Sequence, residues 1–107
     1  MRTLEFKVEK QIIRKQPGCD FSNLVAKSAG YLQAKFHFIG DEWTDCKKAA
    51  SFWLDNHEYP VLLDSDDTCT IPSEVLGSQV FYVSVTGATR DGLRIPTTKY
   101  KVRQEVY

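Results

Sequence analysis

Four segments of the chain alternate apolar and polar side chains residue by residue, and that period of two is what most limits the folds open to it. LEFKVEK sets Leu4, Phe6 and Val8 against Glu5, Lys7 and Glu9. YLQAKFHFI sets Leu32, Ala34, Phe36 and Phe38 against Gln33, Lys35 and His37. VFYVSVT sets Phe81, Val83 and Val85 against Tyr82, Ser84 and Thr86. KYKVRQEVY sets Tyr100, Val102 and Val106 against Lys99, Lys101, Arg103 and Glu105. Successive side chains of a strand face opposite sides, so this is the signature of antiparallel strands with one face buried and one in water.

Shorter apolar runs add to the set: QIIR at 11–14, AASFWL at 49–54, YPVLL at 59–63 and TCTI at 68–71. Between them lie QPGCD, SAG, LDNHE, DSDD, LGSQ and TGATRDG, rich in the residues that tolerate positive φ or fix φ and so reverse the chain at low cost. Short strands at near-regular spacing predict an all-β fold, an immunoglobulin-like antiparallel β-sandwich of about seven or eight strands in a single domain over 1–107. One helical turn is expected at PSEVL, 72–76, opened by Pro72 and Ser73 and dropping Val75 and Leu76 into an end of the sandwich. LDNHE and DSDD read as hairpin turns, which makes 49–71 a meander with Phe52, Leu54, Val61, Leu63 and Ile71 in the core. The expected sheet edges are the first strand, 3–9, and the last, 99–106.

Composition narrows the function classes. Lys plus Arg is 14 and Asp plus Glu is 14, so the formal net charge is zero and nothing steers the whole chain toward nucleic acid or an anionic membrane. The N-terminus lacks an apolar run of signal-peptide length, and no stretch approaches the roughly 18 apolar residues of a membrane span. The expectation is a protein made in the cytoplasm, without a signal peptide. Cys19, Cys46 and Cys69 are odd in number, widely spaced and form no CxxC pair, which argues against a disulfide framework and a zinc site.

Candidate sites are few. Asp64, Asp66 and Asp67 suggest calcium, but TCTIPS supplies neither the glycine nor the glutamate that an EF-hand loop needs, and hairpin tips favour Asp for conformational reasons. His37 falls on the polar side of a strand and His57 in a turn. No motif joins either to a cysteine, and there is no GxSxG, phosphate-cradling loop or HExxH pattern. The chain is therefore expected to be no enzyme, with no catalytic, cofactor or metal-binding residues. KYKVR shows three positive charges, Lys99, Lys101 and Arg103, on one strand face, with Arg90 and Arg94 nearby. That face suits a partner or a glycan, and equally it protects an edge strand from unwanted pairing. Tyr31, Tyr59, Tyr82, Trp43 and Trp53 are the aromatics of open facing; stacked platforms of such rings bind sugars, while strand-rich proteins also bury them. In FHFIGDEWTDCKKAASFW, Trp43 lies between two strands and is expected to fold back over an end of the sandwich. Trp53, opposite in parity to Phe52, is expected on the outer face as the more exposed ring. The candidate partner-contact surface is thus Lys99, Lys101, Arg103, Tyr82 and Trp53.

Taken in order, YLQAKFHF, EWTDC, AASFW, YPVLLDSDDTCTIPSEVL, FYVSVTG and RIPTTKYKVRQE resemble a small β-sandwich domain of tail and baseplate structural proteins from phages and prophages of Gram-positive bacteria. The nearest type is the N-terminal domain of the baseplate upper protein. The resemblance spans roughly residues 24–105 and rests on the order and spacing of the segments. It implies an immunoglobulin-like sandwich that serves as an attachment module in the virion, without chemistry or cofactor. Its partners would be other virion or tail proteins, with homo-oligomers open and with neither nucleic acid nor membrane bound. A glycan-binding module using exposed aromatics is the alternative. The sequence departs from the family by ending at Tyr107, without a fibre-trimerising or receptor-reading part, and by a longer stretch at 14–23.

Overall fold

The inward sets named above do converge. In the computed structural model, which describes residues 2–105, Leu4, Phe6, Val8, Leu32, Ala34, Phe36, Phe81, Val83, Val85 and Val102 are all buried. Val106 lies outside the described residues. The strands are β1 (Arg2–Glu9), β2 (Ile12–Lys15), β3 (Leu32–Ile39), β4 (Lys47–Leu54), β5 (His57–Leu62), β6 (Thr68–Thr70), β7 (Val80–Ala88), β8 (Arg94–Pro96) and β9 (Tyr100–Arg103). A 3-10 turn spans Asp41–Trp43, and a single helical turn, α1 (Ser73–Leu76), sits where PSEVL places it, with Val75 and Leu76 fully buried.

The strands form two sheets. Sheet one has the order β2-β1-β3-β6; sheet two has β5-β4-β7, with β8 and β9 following one another along the outer side of β7. One buried cluster draws on both: Phe6 stacks on Phe36 with ring centroids 5.3 Å apart, and Phe52 meets Phe81 at 6.5 Å. The all-β sandwich is therefore as the alternation requires. Nine strands are present among the described residues, the extra one being the three-residue β8, too short to show a period.

Three local expectations are corrected. First, β1 pairs parallel with β3, because the tight β1–β2 hairpin is followed by a long crossing, 16–31, that returns the chain to the end where β1 began. Second, β1 is an inner strand, held between β2 and β3; of the two expected edges only β9 lies at a rim. Third, DSDD does not join a hairpin. The Leu63 amide closes sheet two on the Lys48 carbonyl, and the Asp67 carbonyl already accepts from Phe36 in sheet one. The chain changes sheets inside that turn, as corners of sandwiches do.

The long stretch after β2 has a structural use. Phe21 packs edge-on against Phe6 and Tyr100 at 5.3 and 6.0 Å, extending the core. Carbonyls of Asp20, Ser22 and Asn23 accept from the Arg2 guanidinium at 2.9, 2.6 and 3.3 Å. Near the junction of β8 and β9 the two sheets are stitched together: the Thr98 amide donates to the Gln11 carbonyl, and Gln11 Nε2 donates to the Pro96 carbonyl, each at 2.9 Å. That seam leaves the opposite rims, β5 and β6, as the less covered edges.

Candidate functional site

Trp43 is core. Its side chain is 1% exposed, lies 5.0 Å from the Phe38 ring, and donates its indole N–H to the Lys10 carbonyl at 3.0 Å. The buried N–H is satisfied, so nothing of Trp43 is offered to a ligand. Gly87 lets it in: a Cβ there would stand 2.9 Å from the ring. The connection after β3 is thus a plug.

The outer face of sheet two gathers every residue named for partner contact. Pairing registers put Glu58, Trp53, Tyr82 and Lys101 in one row across β5, β4, β7 and β9, with Val80 and Arg103 in the next. Tyr82 is exposed, as are Lys99, Lys101 and Arg103. Trp53 is less open than expected. Lys99 Nζ lies 3.8 Å from its ring centroid, and its indole N–H donates to Ser84 Oγ at 2.9 Å. A cation over an indole face is held by the ring quadrupole, so one face of Trp53 is already occupied. Arg94 is not beside this row. It pairs with Ala88, six residues along β7 from Tyr82 and about 20 Å away at strand rise.

Toward Arg94 the same face changes character. The rows there are Leu62, Ala49, Thr86 and Pro96, then Lys47, Ala88 and Arg94, with Pro60, Ser51 and Ser84 nearer the tryptophan. Small side chains on β4 and β7 make a floor, while Leu62 on one rim and Leu93 on the other stand up beside it. The result is an open trough of ≈ 330 Å³. Leu62 is 75% and Leu93 61% exposed, the two highest values among exposed large apolar residues. At the floor Ser51 Oγ donates to Glu58 Oε2, which ties down the one carboxylate on these strands. None of Lys47, Arg94, Lys99, Lys101 or Arg103 makes an ion pair among the described residues.

Leu62 escaped the sequence reading although a signal was present. In YPVLL the alternation fails, since Val61 and Leu63 face the core and the leucine between them must then face out. Leu93 sits in a turn with no period to break. The flattening of Ala49 and Ala88 into a floor depends on pairing register.

The remaining candidates stay apart. His37 Nε2 lies 2.7 Å from Glu5 Oε1 on the outer face of sheet one, whereas His57 opens β5 of sheet two. Asp66 accepts from Thr68 Oγ1 at 2.8 Å, and Asp67 pairs with Lys48 at 3.5 Å, so both serve the turn. Among the described residues no group of three or more His, Cys, Asp or Glu side chains is arranged to hold a metal ion. All three cysteines are free. Burial, and then the Asp64 charge, push the Cys69 thiol up to about 12. No helix among the described residues is long and apolar enough to cross a membrane. No protein-family model, curated protein or solved structure matches the chain.

Proposed function

We propose that the chain is a non-enzymatic attachment component of a phage or prophage particle, of tail or baseplate type, acting through protein–protein contacts. The observation that carries contact-based action is the apolar trough on the outer face of sheet two. The solvent side of a sandwich strand is ordinarily polar, and here two leucines stand exposed over an alanine floor. What supports the particle is the ordered resemblance of residues 24–105 to baseplate sandwich domains. The test is electron microscopy of induced particles carrying a labelled chain. Label at a fixed position on the tail is the expected result, and particles that assemble without any label overturn the assignment.

A second reading, glycan binding, is favoured by one observation. Trp53, Tyr82, Asp55, Asn56 and Lys99 line a single shallow cavity of ≈ 260 Å³, an aromatic and polar mixture suited to a sugar ring. Titration of tryptophan fluorescence with cell-wall polysaccharides checks it, and an unchanged spectrum across a broad panel retires it.

A further inference from the structure

We propose that the cavity beside Trp53 binds a sugar residue carrying a free ammonium group, and that Lys99 occupies the place of that ammonium on the indole face in this structure. The inference rests on the glycan reading above and names the class of sugar.

The cavity stands on a rigid frame. Trp53 and Tyr82 are register partners on β4 and β7, which sets their Cβ atoms about 5 Å apart and makes one aromatic floor. Asp55 and Asn56 are the two central residues of the β4–β5 hairpin, between the paired Leu54 and His57, and both take positive φ, 49° and 69°. A two-residue turn of that kind is tight, so it fixes the carboxylate and the amide just beyond Trp53. Lys99 completes the lining. Its neighbours are pinned: the Thr97 amide donates to the Val85 carbonyl and the Thr98 amide to the Gln11 carbonyl, each at 2.9 Å. Only the Lys99 side chain has to move for a ligand to reach the ring. At ≈ 260 Å³ the cavity falls below the about 300–1,000 Å³ of sites that enclose drug-sized ligands, a size suited to one sugar residue.

The chain itself shows what the indole face takes. Lys99 Nζ stands 3.8 Å from the Trp53 ring centroid, the closest approach of a lysine to a ring among the described residues. The ring quadrupole draws an ammonium to that face, and indole does so more strongly than the other aromatic side chains. The nearest carboxylates also suit a cation. Asp55 lines the cavity and makes no ion pair among the described residues, and Glu58 is the register partner of Trp53. Lys101 and Arg103 share the outer face but line no part of this cavity. A ligand ammonium therefore replaces Lys99, whose own charge turns into water, and it gains a carboxylate that Lys99 does not pair with. Tyr82 is left to stack on the apolar face of the sugar ring, and the Asn56 amide to meet its hydroxyls. An acetylated amine carries no charge and loses both the indole face and Asp55.

The experiment uses the intact chain and its tryptophan fluorescence. Trp43 is 1% exposed, so quenching by acrylamide reports Trp53. In the chain without sugar, Lys99→Ala should raise that quenching by uncovering the ring. The probes are a β-1,4-linked glucosamine oligosaccharide and its N-acetylated counterpart, titrated at pH 6 with the free amines charged. The glucosamine form is expected to bind about tenfold more tightly than the acetylated one, and more weakly as salt rises. Lys99→Ala should tighten its binding about threefold, because the site no longer has to be opened against an internal competitor. Asp55→Asn, which the left-handed turn accepts, should weaken it about threefold. Lys101→Met should leave the preference for the amine intact. All three side chains are exposed, so thermal unfolding should be unchanged in each variant. Equal binding of the two oligosaccharides, indifference to Asp55→Asn, or weaker binding by Lys99→Ala each overturns the proposal. So does unchanged acrylamide quenching in Lys99→Ala. A cell-wall polysaccharide without free amines that binds where the glucosamine oligosaccharide does not overturns this inference and leaves the glycan reading standing. Absence of binding by every polysaccharide, aminated or not, overturns both.

Discussion

At the scale of single residues, Trp43 and Gly87 form a matched pair. The indole fills the end of the sandwich only because β7 presents no Cβ beneath it, so each residue makes the other costly to change. Trp43→Ala should lower unfolding stability by about 3 kcal/mol, as large-to-small changes of buried aromatics do. Gly87→Ala should cost about 1–3 kcal/mol through overpacking against an immobile ring. Denaturant titration checks both, and the double variant should lose less than the two single losses combined, since the cavity left by the first accepts the methyl group of the second. Cys69 makes a separate point. Its thiol ionises in the folded chain only near pH 12, whereas it does so near 9 in the unfolded chain. The folded state therefore holds a proton that the unfolded state has released between those values, and stability falls as pH rises through that window. The decline is at most about 1.4 kcal/mol per pH unit. Cys69→Ala should flatten the alkaline limb, and alkylation of native protein at pH 8 should modify Cys46 and Cys19 well before Cys69.

At the scale of elements, legibility followed the amount of period a segment carries. β1, β3, β7 and β9 show enough alternating positions to set which side chains turn inward, and those positions are buried, or, at Phe38 and Tyr100, half-buried against the core. β8 has three residues, and the corner at 64–67 has the same Asp-rich chemistry whether a strand returns to its own sheet or crosses to the other. Turn residues specify that the chain reverses, and long-range pairing decides where it goes. The candidate surface was legible for the same reason: Trp53, Tyr82, Lys101 and Arg103 share an outward parity. The trough beside them was not, because its floor arises from residues 37 and 41 apart in the chain meeting in one register (Ala49 with Thr86, Lys47 with Ala88). β5 is the element most exposed to misuse. Its outward rim has no donor at Pro60, which blunts strand addition there. Pro60→Thr should restore that donor and promote concentration-dependent self-association, read by light scattering. A variant that stays monomeric at every concentration would show that other features protect the edge.

At the scale of the whole molecule, both ends of the described chain are gripped by one loop. Arg2 is bound by carbonyls of Asp20, Ser22 and Asn23. Two residues farther along the loop, Leu24 and Ala26 exchange backbone hydrogen bonds with Glu105. The two ends of the strand array therefore leave the sandwich at the same pole, while Trp43 and the acidic turns at 41–45 and 64–67 occupy the other. Fluorescent proteins fused before β1 and after β9 should show strong energy transfer that disappears on unfolding. In mechanical terms, the loop is a clasp. A load entering at either terminus meets residues 20–26 at the points, Arg2 and Glu105, where it meets the strand array, so the loop shares that load with the strands.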